Sequence, residues 1–323
     1  MRRFDEFMTD ALYGPDGFYV ARGRAGRRGD FITSPEVGPL FGAVIAGALD
    51  AWWHEAGRPD EFVVVEAGAG PGTLARSILA AGPAHGALRY VTVEVSEAQR
   101  AAHPDGVEAR ADLPPGPIDV IIANELLDNL PFRLAVMDGA WREAFVDDAE
   151  REVLAGAVEH AFLPANAPHG ARAPMQGAAA AWVADATSRL RPGGRVVVFD
   201  YAVARTAMLA MRPWREWLRT YRGHERGGHY LAAPGSQDIT VEVCLDQLPE
   251  PDAVRSQRQF LQLWGIDDMV AEGRRIWEAE AARPGLRAMA ARSRIREAEA
   301  LLDPDGLGGF SVIEWRRASP EQA

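Results

Sequence analysis

The chain contains no lysine, so all 35 of its basic side chains are arginine. With the heavy use of alanine, glycine and proline, that bias reads as nucleotide composition, not chemistry. Positive charge is also short overall. The 46 acids leave a formal charge of −11, so a broad surface for the phosphate backbone of nucleic acid is not expected. Cys244 is the only cysteine, which excludes an intramolecular disulfide and a cysteine-cluster metal site and fits a reducing compartment. No apolar run approaches the length of a membrane span, and the opening MRRFDEFMTDALYG lacks the apolar core of a secretory signal. A soluble, cytoplasmic protein that binds neither nucleic acid nor membrane is expected. His54, His85, His103, His160 and His169 show no metal-ligand spacing and are expected to be solvated.

At 323 residues and 47% hydrophobic, the chain is long enough for one globular domain with insertions. Residues 1–58 read as a helical preamble, with Ser34-Pro35-Glu36 opening an alanine-rich helix through Trp52 and Trp53. A core over 59–204 follows. EFVVVEAG (61–68), LRYVTVEVS (88–96), IDVIIAN (118–124) and RVVVFDYAV (195–203) are buried-strand patterns, and helical patterns lie between them. Strands alternating with helices give an α/β fold with a doubly wound, mostly parallel sheet. A hairpin insertion over about 132–174 turns at Asp138-Gly139 and runs into a polar, weakly patterned stretch. Residues 205–236, rich in Trp, Tyr, His and Arg, read as a lid, with WREWLRTY at helical spacing. The last part, 237–323, holds a charged helix over 268–301 and GFSVIEWRR (309–317) as an edge strand.

VVVEAGAGPGTL (63–74) is the sharpest local signal. A strand feeds Gly68, Gly70 and Gly72 and then a helix, so the backbone can turn tightly while the helix N-terminus favours a negative group. A dinucleotide fingerprint would place its third glycine at position 73, where this chain has Thr73. A plain strand–turn–helix with no ligand is the bland alternative. Glu66 two residues before the first glycine, with the tighter glycine spacing, instead resembles the first motif of class I S-adenosylmethionine-dependent methyltransferases. Glu94 then sits at the next strand end, where an acid would accept from both ribose hydroxyls. ANELLDNLPF (123–132) puts Asn124, Glu125, Asp128 and Asn129 at the third strand end, where open α/β sheets bind ligands. These groups are candidates for the acceptor side, and helix capping by Glu125 and Asp128 is the competing reading. Asn129-Leu130-Pro131-Phe132 partly matches the N-P-P-[YF] motif of enzymes that methylate amide or ring-amino nitrogens, at a displaced position. The arginine cluster RGRAGRRG (22–29) suits an acidic partner or a solvated loop equally.

In order, LYGPDGFYV, GDFITSPEVGPLFG, VEAGAGPGTL, VTVEVSEAQR, ANELLDNLPF, VFDYA, TYRGH, PGSQDITVEV and SQRQFLQLWGI resemble the MidA-type methyltransferases. That family includes a mitochondrial complex I assembly factor that methylates a protein arginine. The resemblance implies a class I, Rossmann-like S-adenosylmethionine-dependent methyltransferase that releases S-adenosylhomocysteine. It implies donor binding by Glu66, Gly68, Gly70, Gly72 and Glu94, with Thr33, Pro35 and Glu36 closing over the donor beside Gly29 and Asp30. It implies catalysis by Asn124, Glu125 and Asp128. Asp30, Asn129, Asp200, Tyr201 and His224 are its substrate-side candidates, with no metal. The chain departs from the family pattern at Asn129, at Ala202, and at Glu242 and Cys244. The expected reaction is methyl transfer to a protein arginine. The alternatives are a methyltransferase for a small molecule or another protein nitrogen, and a non-catalytic assembly factor that binds the donor.

Overall fold

The computed structural model describes residues 1–22, 33–82, 86–223 and 225–319. The arginine-rich stretch beyond Arg22, with Gly29, Asp30 and His224, lies outside the described residues.

Seven strands form the central sheet: β1 (Phe62–Ala67), β2 (Leu88–Val93), β3 (Glu108–Arg110), β4 (Ile118–Asn124), β5 (Leu190–Asp200), β6 (Ala253–Ser256) and β7 (Ser311–Arg316). Their spatial order is β3-β2-β1-β4-β5-β7-β6. The pairs from β3 to β5 are parallel, and β7 runs antiparallel to both its neighbours. The order reverses between β1 and β4, which leaves a crevice at their carboxyl ends.

The strands are apolar on both faces because both are covered. Val64, Val120, Ile122, Val197 and Phe199 meet Leu40, Phe41, Val44 and Ile45 of α1 (Pro39–Glu55) and Leu74 and Ile78 of α2 (Thr73–Ala80). The alternate residues Val63, Val65, Ile121, Val196 and Val198 meet Ala179, Val183 and Ala186 of α3 (Gly177–Ser188). β7 is interior, not the edge expected at 309–317. Its Glu314 is buried and paired with Arg195 and Arg255.

A second, antiparallel sheet contains Arg133–Asp138, Ala140–Val146, Glu152–Ala157 and Arg172–Met175. The last two strands fall where the sequence reads as unpatterned, because the strand Glu152–Ala157 is mostly half-exposed and built of small residues. The helix Phe4–Tyr13 packs Phe4, Phe7 and Leu12 against Phe132, Leu134 and Val136 of this layer. WREWLRTY is not a helix. Trp214–Glu216 makes one 3-10 turn and Leu218–Arg222 is a strand pairing with Asp238–Val241. Trp217 is buried and Trp214 carries Arg172 and Arg215 on its ring.

The single charged helix expected over 268–301 is two, Ile266–Glu280 and Leu286–Leu302, broken around Pro284-Gly285. Its second half contributes to the start of α1. Leu40 N donates to Glu297 Oε2 at 2.8 Å, and a Cβ on Gly38 would lie 2.3 Å from the Glu297 carboxyl carbon. Ser34 does not cap that helix. It sits in a separate turn, Ser34–Val37, and its buried hydroxyl donates to Gln257 Oε1 at 2.8 Å.

Phe199 is the centre of the α1 face, with ring centroids 5.2 Å from Phe41 and 5.1 Å from Phe260. Phe199→Ala should cost about 3–5 kcal/mol of unfolding free energy, measured by urea titration.

Candidate active site

The crevice between β1 and β4 opens into a cavity of about 520 Å³. One wall is the glycine loop after β1. Gly68, Gly70 and Gly72 have φ of +69°, +52° and +77°, in the left-handed region that side chains avoid. Gly68 and Gly70 line the cavity. Gly72 does not; a Cβ there would come within 3.0 Å of the His103 ring. Its glycine is required by packing behind the loop rather than by approach of a ligand.

Glu94, one residue past β2, holds this loop. Its Oε2 accepts from Gly70 N at 3.0 Å and its Oε1 from Ser96 N at 2.8 Å. A carboxylate offers about four acceptor positions, so two remain for hydroxyls in the cavity. Burial raises the Glu94 carboxyl, tempered by those two amides. Glu66 accepts from Tyr90 OH at 2.8 Å, and burial pushes it up to about 8. Thr33, Pro35 and Glu36 line the cavity, and Thr73 Oγ1 donates to Glu36 Oε1 at 2.5 Å, which ties their turn to α2.

The facing wall grows from the end of β4. Glu125 is held at φ +50°, with its amide donating to Phe199 O at 2.8 Å. Asn124 Nδ2 donates to Glu125 Oε1 at 3.1 Å, and the Ser34 amide also bonds the carboxylate. Asn124 Oδ1 is buried without a hydrogen-bond partner among the described residues, and Asn124 lines the cavity. A single 3-10 turn, Leu127–Asn129, follows. Neither Glu125 nor Asp128 caps it. Asp200 does, accepting from Leu127 N at 3.0 Å, Asp128 N at 3.3 Å and Tyr201 N at 2.9 Å.

Asp200, Tyr201 and Asp128 therefore stand behind the cavity wall, not on it. Asp128 Oδ2 accepts the hydroxyls of Tyr201 and Thr240, while its Oδ1 is buried without a hydrogen-bond partner among the described residues. Asn129, where the family pattern has alanine, lines the cavity and donates to Asp238 Oδ1 at 3.1 Å and Ile239 O at 3.2 Å. Burial raises Glu125 to about 8 and the three acids behind it as well, Asp238 to about 7 and Asp128 and Asp200 upward. Mutual repulsion adds to this, with Asp128 acting on Glu125, Asp200 and Asp238.

Other cavity residues escape a sequence reading. Tyr13 and Tyr19 stack at 5.6 Å, with Tyr13 OH donating to Asn129 O at 3.1 Å and Tyr19 OH to Asp238 Oδ1 at 2.9 Å. They lie in LYGPDGFYV, whose spacing suggests only packing. Gln99, Asp112, Leu113 and Trp182 line the far end. Asp112 follows β3, a strand too short to show periodicity. His103 is not the solvated side chain expected, since both its ring nitrogens are bonded within the protein. Among the described residues, no group of three His, Cys, Asp or Glu side chains could hold a metal ion.

The raised acids fix the sign of a pH effect. A folded-state carboxyl that titrates above its unfolded value binds its proton more tightly when folded. Stability is then lost as pH rises through the gap and is constant above it. For Glu66 the gap runs from 4.5 to about 8. Glu66→Gln should gain stability relative to the parent between those limits and hold a constant advantage above about pH 8. Urea midpoints across that range check it.

The geometry thus offers a ligand-sized cavity with hydroxyl acceptors on one wall and, on the other, the Glu125 carboxyl beside the Asn124 amide oxygen, with three further acids buried behind them. The family described as "Putative S-adenosyl-L-methionine-dependent methyltransferase" matches residues 44–261, more than half of the chain. The protein arginine methyltransferase NDUFAF7, mitochondrial, of Mus musculus is 28% identical over 318 residues, covering 81% of this chain and 70% of that protein. The Drosophila melanogaster homolog is 31% identical over 192 residues, covering 49% of this chain and 43% of that protein. A Burkholderia thailandensis protein solved with S-adenosyl-homocysteine bound superposes with a TM-score of 0.79. It is 27% identical and covers 98% of this chain and 87% of that one. The curated relatives are named as mitochondrial proteins, which overturns the expectation of a cytoplasmic location. Among the described residues no helix is long and apolar enough to cross a membrane. The donor is S-adenosyl-L-methionine, and the chain belongs to the S-adenosyl-L-methionine-dependent methyltransferase family.

Proposed function

We propose that this methyltransferase acts on an arginine guanidinium of a protein. The observation that carries the reading is the acidic wall. Glu125, Asp128, Asp200 and Asp238 are enclosed together, and among the described residues no arginine offsets the charge of any of them. Such a cluster is costly until a cation arrives. The curated relatives named as protein arginine methyltransferases support the same acceptor.

On this reading Glu66, Gly68, Gly70, Glu94, Thr33, Pro35 and Glu36 hold the donor. When bound, it supplies an electrophilic methyl group on a sulfonium. Glu125 receives the guanidinium by charge-assisted hydrogen bonds, and Asn124 Oδ1 accepts a further N–H. A guanidinium in contact draws the Glu125 carboxyl back to its ionised form. As the N–C bond forms and the S–C bond breaks, the nitrogen loses a proton. The Glu125 carboxylate, the nearest acid on the cavity surface, takes it up. Asp128 and Asp200 shape the turn that presents Glu125; Asn129, Tyr13 and Tyr19 line the cavity beside it, and Asp238 holds Tyr19 and Asn129 from behind. Residues 59–204 serve as the donor-binding core, and 205–236 belong to the acceptor side.

Glu125→Gln should lower kcat/KM for methyl transfer by about 100-fold, with donor Kd within about threefold of the parent. Tritiated donor, whole-cell lysate and gel separation provide the assay, with methylarginine identified by mass spectrometry. Label in small molecules or on another protein nitrogen would favour the alternative acceptors. Donor binding without label would favour a non-catalytic role.

A further inference from the structure

Gly70 is the midpoint of the glycine loop, and its peptide units are gripped from both sides. Its N–H donates to Glu94 Oε2 at 3.0 Å, and its carbonyl oxygen lies 2.8 Å from His103 Nε2. The other ring nitrogen, Nδ1, lies 2.8 Å from Thr92 Oγ1, a fully buried hydroxyl on β2. A carbonyl can only accept, so Nε2 carries the ring proton. In the neutral ring Nδ1 then accepts from the Thr92 hydroxyl. Burial and the nearby Arg76 and Arg100 guanidinium groups oppose a second proton.

The ring also acts as a surface. A Cβ on Gly72 would lie 3.0 Å from His103 Cδ2 and 3.1 Å from Pro104 Cδ, so the loop backbone rests directly on this segment. His103 does not itself line the cavity. Whatever it does for the donor passes through the loop.

We propose that His103 is a positioning residue for the methyl donor: its Nε2–H clamps the Gly70 carbonyl and, through Thr92, fastens the left-handed loop to β2 before the donor arrives. The clamp sets donor affinity and leaves the transfer step alone. It is independent of which acceptor the enzyme uses.

Imidazole nitrogen shifts of the donor-free protein at neutral pH should show the Nε2–H tautomer at His103; an Nδ1–H tautomer overturns the proposal. His103→Leu keeps bulk and removes both bonds. It should raise the calorimetric Kd for S-adenosylmethionine about tenfold while kcat at saturating donor stays within about twofold. His103→Gln retains a donor able to reach the same carbonyl and should bind within about threefold of the parent. An unchanged Kd in the leucine variant, or a tenfold loss in the glutamine variant, overturns it. Should the leucine variant fail to fold, the tautomer and the glutamine variant decide.

Discussion

The cavity wall after β4 hangs on one carboxylate. Asp200 ends β5 with no exposed surface and receives three backbone amides, two from the turn after β4 and one from its own neighbour. Those amides would otherwise be orphans at the mouth of a parallel sheet, where the ladder has run out. By collecting them, Asp200 pulls Leu127–Asn129 into a tight turn over β5 and forces the chain at Glu125 through a left-handed conformation. A non-glycine residue at φ +50° persists only where its surroundings over-determine it. Here the Phe199 carbonyl and the Asp200 carboxylate do so from one strand.

The two walls of the cavity are built on opposite principles. Glycines, amides and hydroxyl acceptors make the wall after β1, where Glu94 is held by Gly70 and Ser96, Glu66 by Tyr90 and Glu36 by Thr73. The wall after β4 concentrates acids at and behind its surface, and among the described residues Asn124 Oδ1 and Asp128 Oδ1 have no hydrogen-bond partner. A fold that breaks its own rules for polar burial at one place does so where a ligand completes it. The Thr33–Val37 turn joins the two. Glu36 bonds the helix of the donor loop, while the Ser34 amide bonds Glu125 and the Ser34 hydroxyl bonds Gln257.

Much of this was legible before any coordinates. Apolar runs such as VVV and IDVII mark strands covered on both faces, and the glycine loop and the polar cluster after β4 mark the two walls, because strand ends are where a parallel sheet binds. The misreadings share a cause. GFSVIEWRR suggests an edge because the strand that covers its outer side, β6, and the arginines that neutralise Glu314 come from distant parts of the chain. WREWLRTY has helical spacing, but its tryptophans serve two layers at once. Asp128, Asp200 and Tyr201 announce themselves as polar residues at strand ends, yet only tertiary structure tells a side chain that faces the cavity from one that supports it. His103 carried no signal at all, since its partners are a backbone carbonyl and a distant threonine.

The contact between Gly38 and Glu297 has a consequence for how the molecule is made. The first turn of α1 receives its Leu40 amide partner from a helix more than two hundred residues downstream. In a chain synthesised from its N-terminus, α1 can pack on the growing sheet early, but its leading end keeps an unmet donor until residue 297 has left the ribosome. The turn beside that end, Ser34–Val37, is also the one that borders the cavity. The nascent chain can therefore bury the contacts between α1 and the sheet while the Leu40 amide, next to a turn that borders the cavity, still lacks its Glu297 partner.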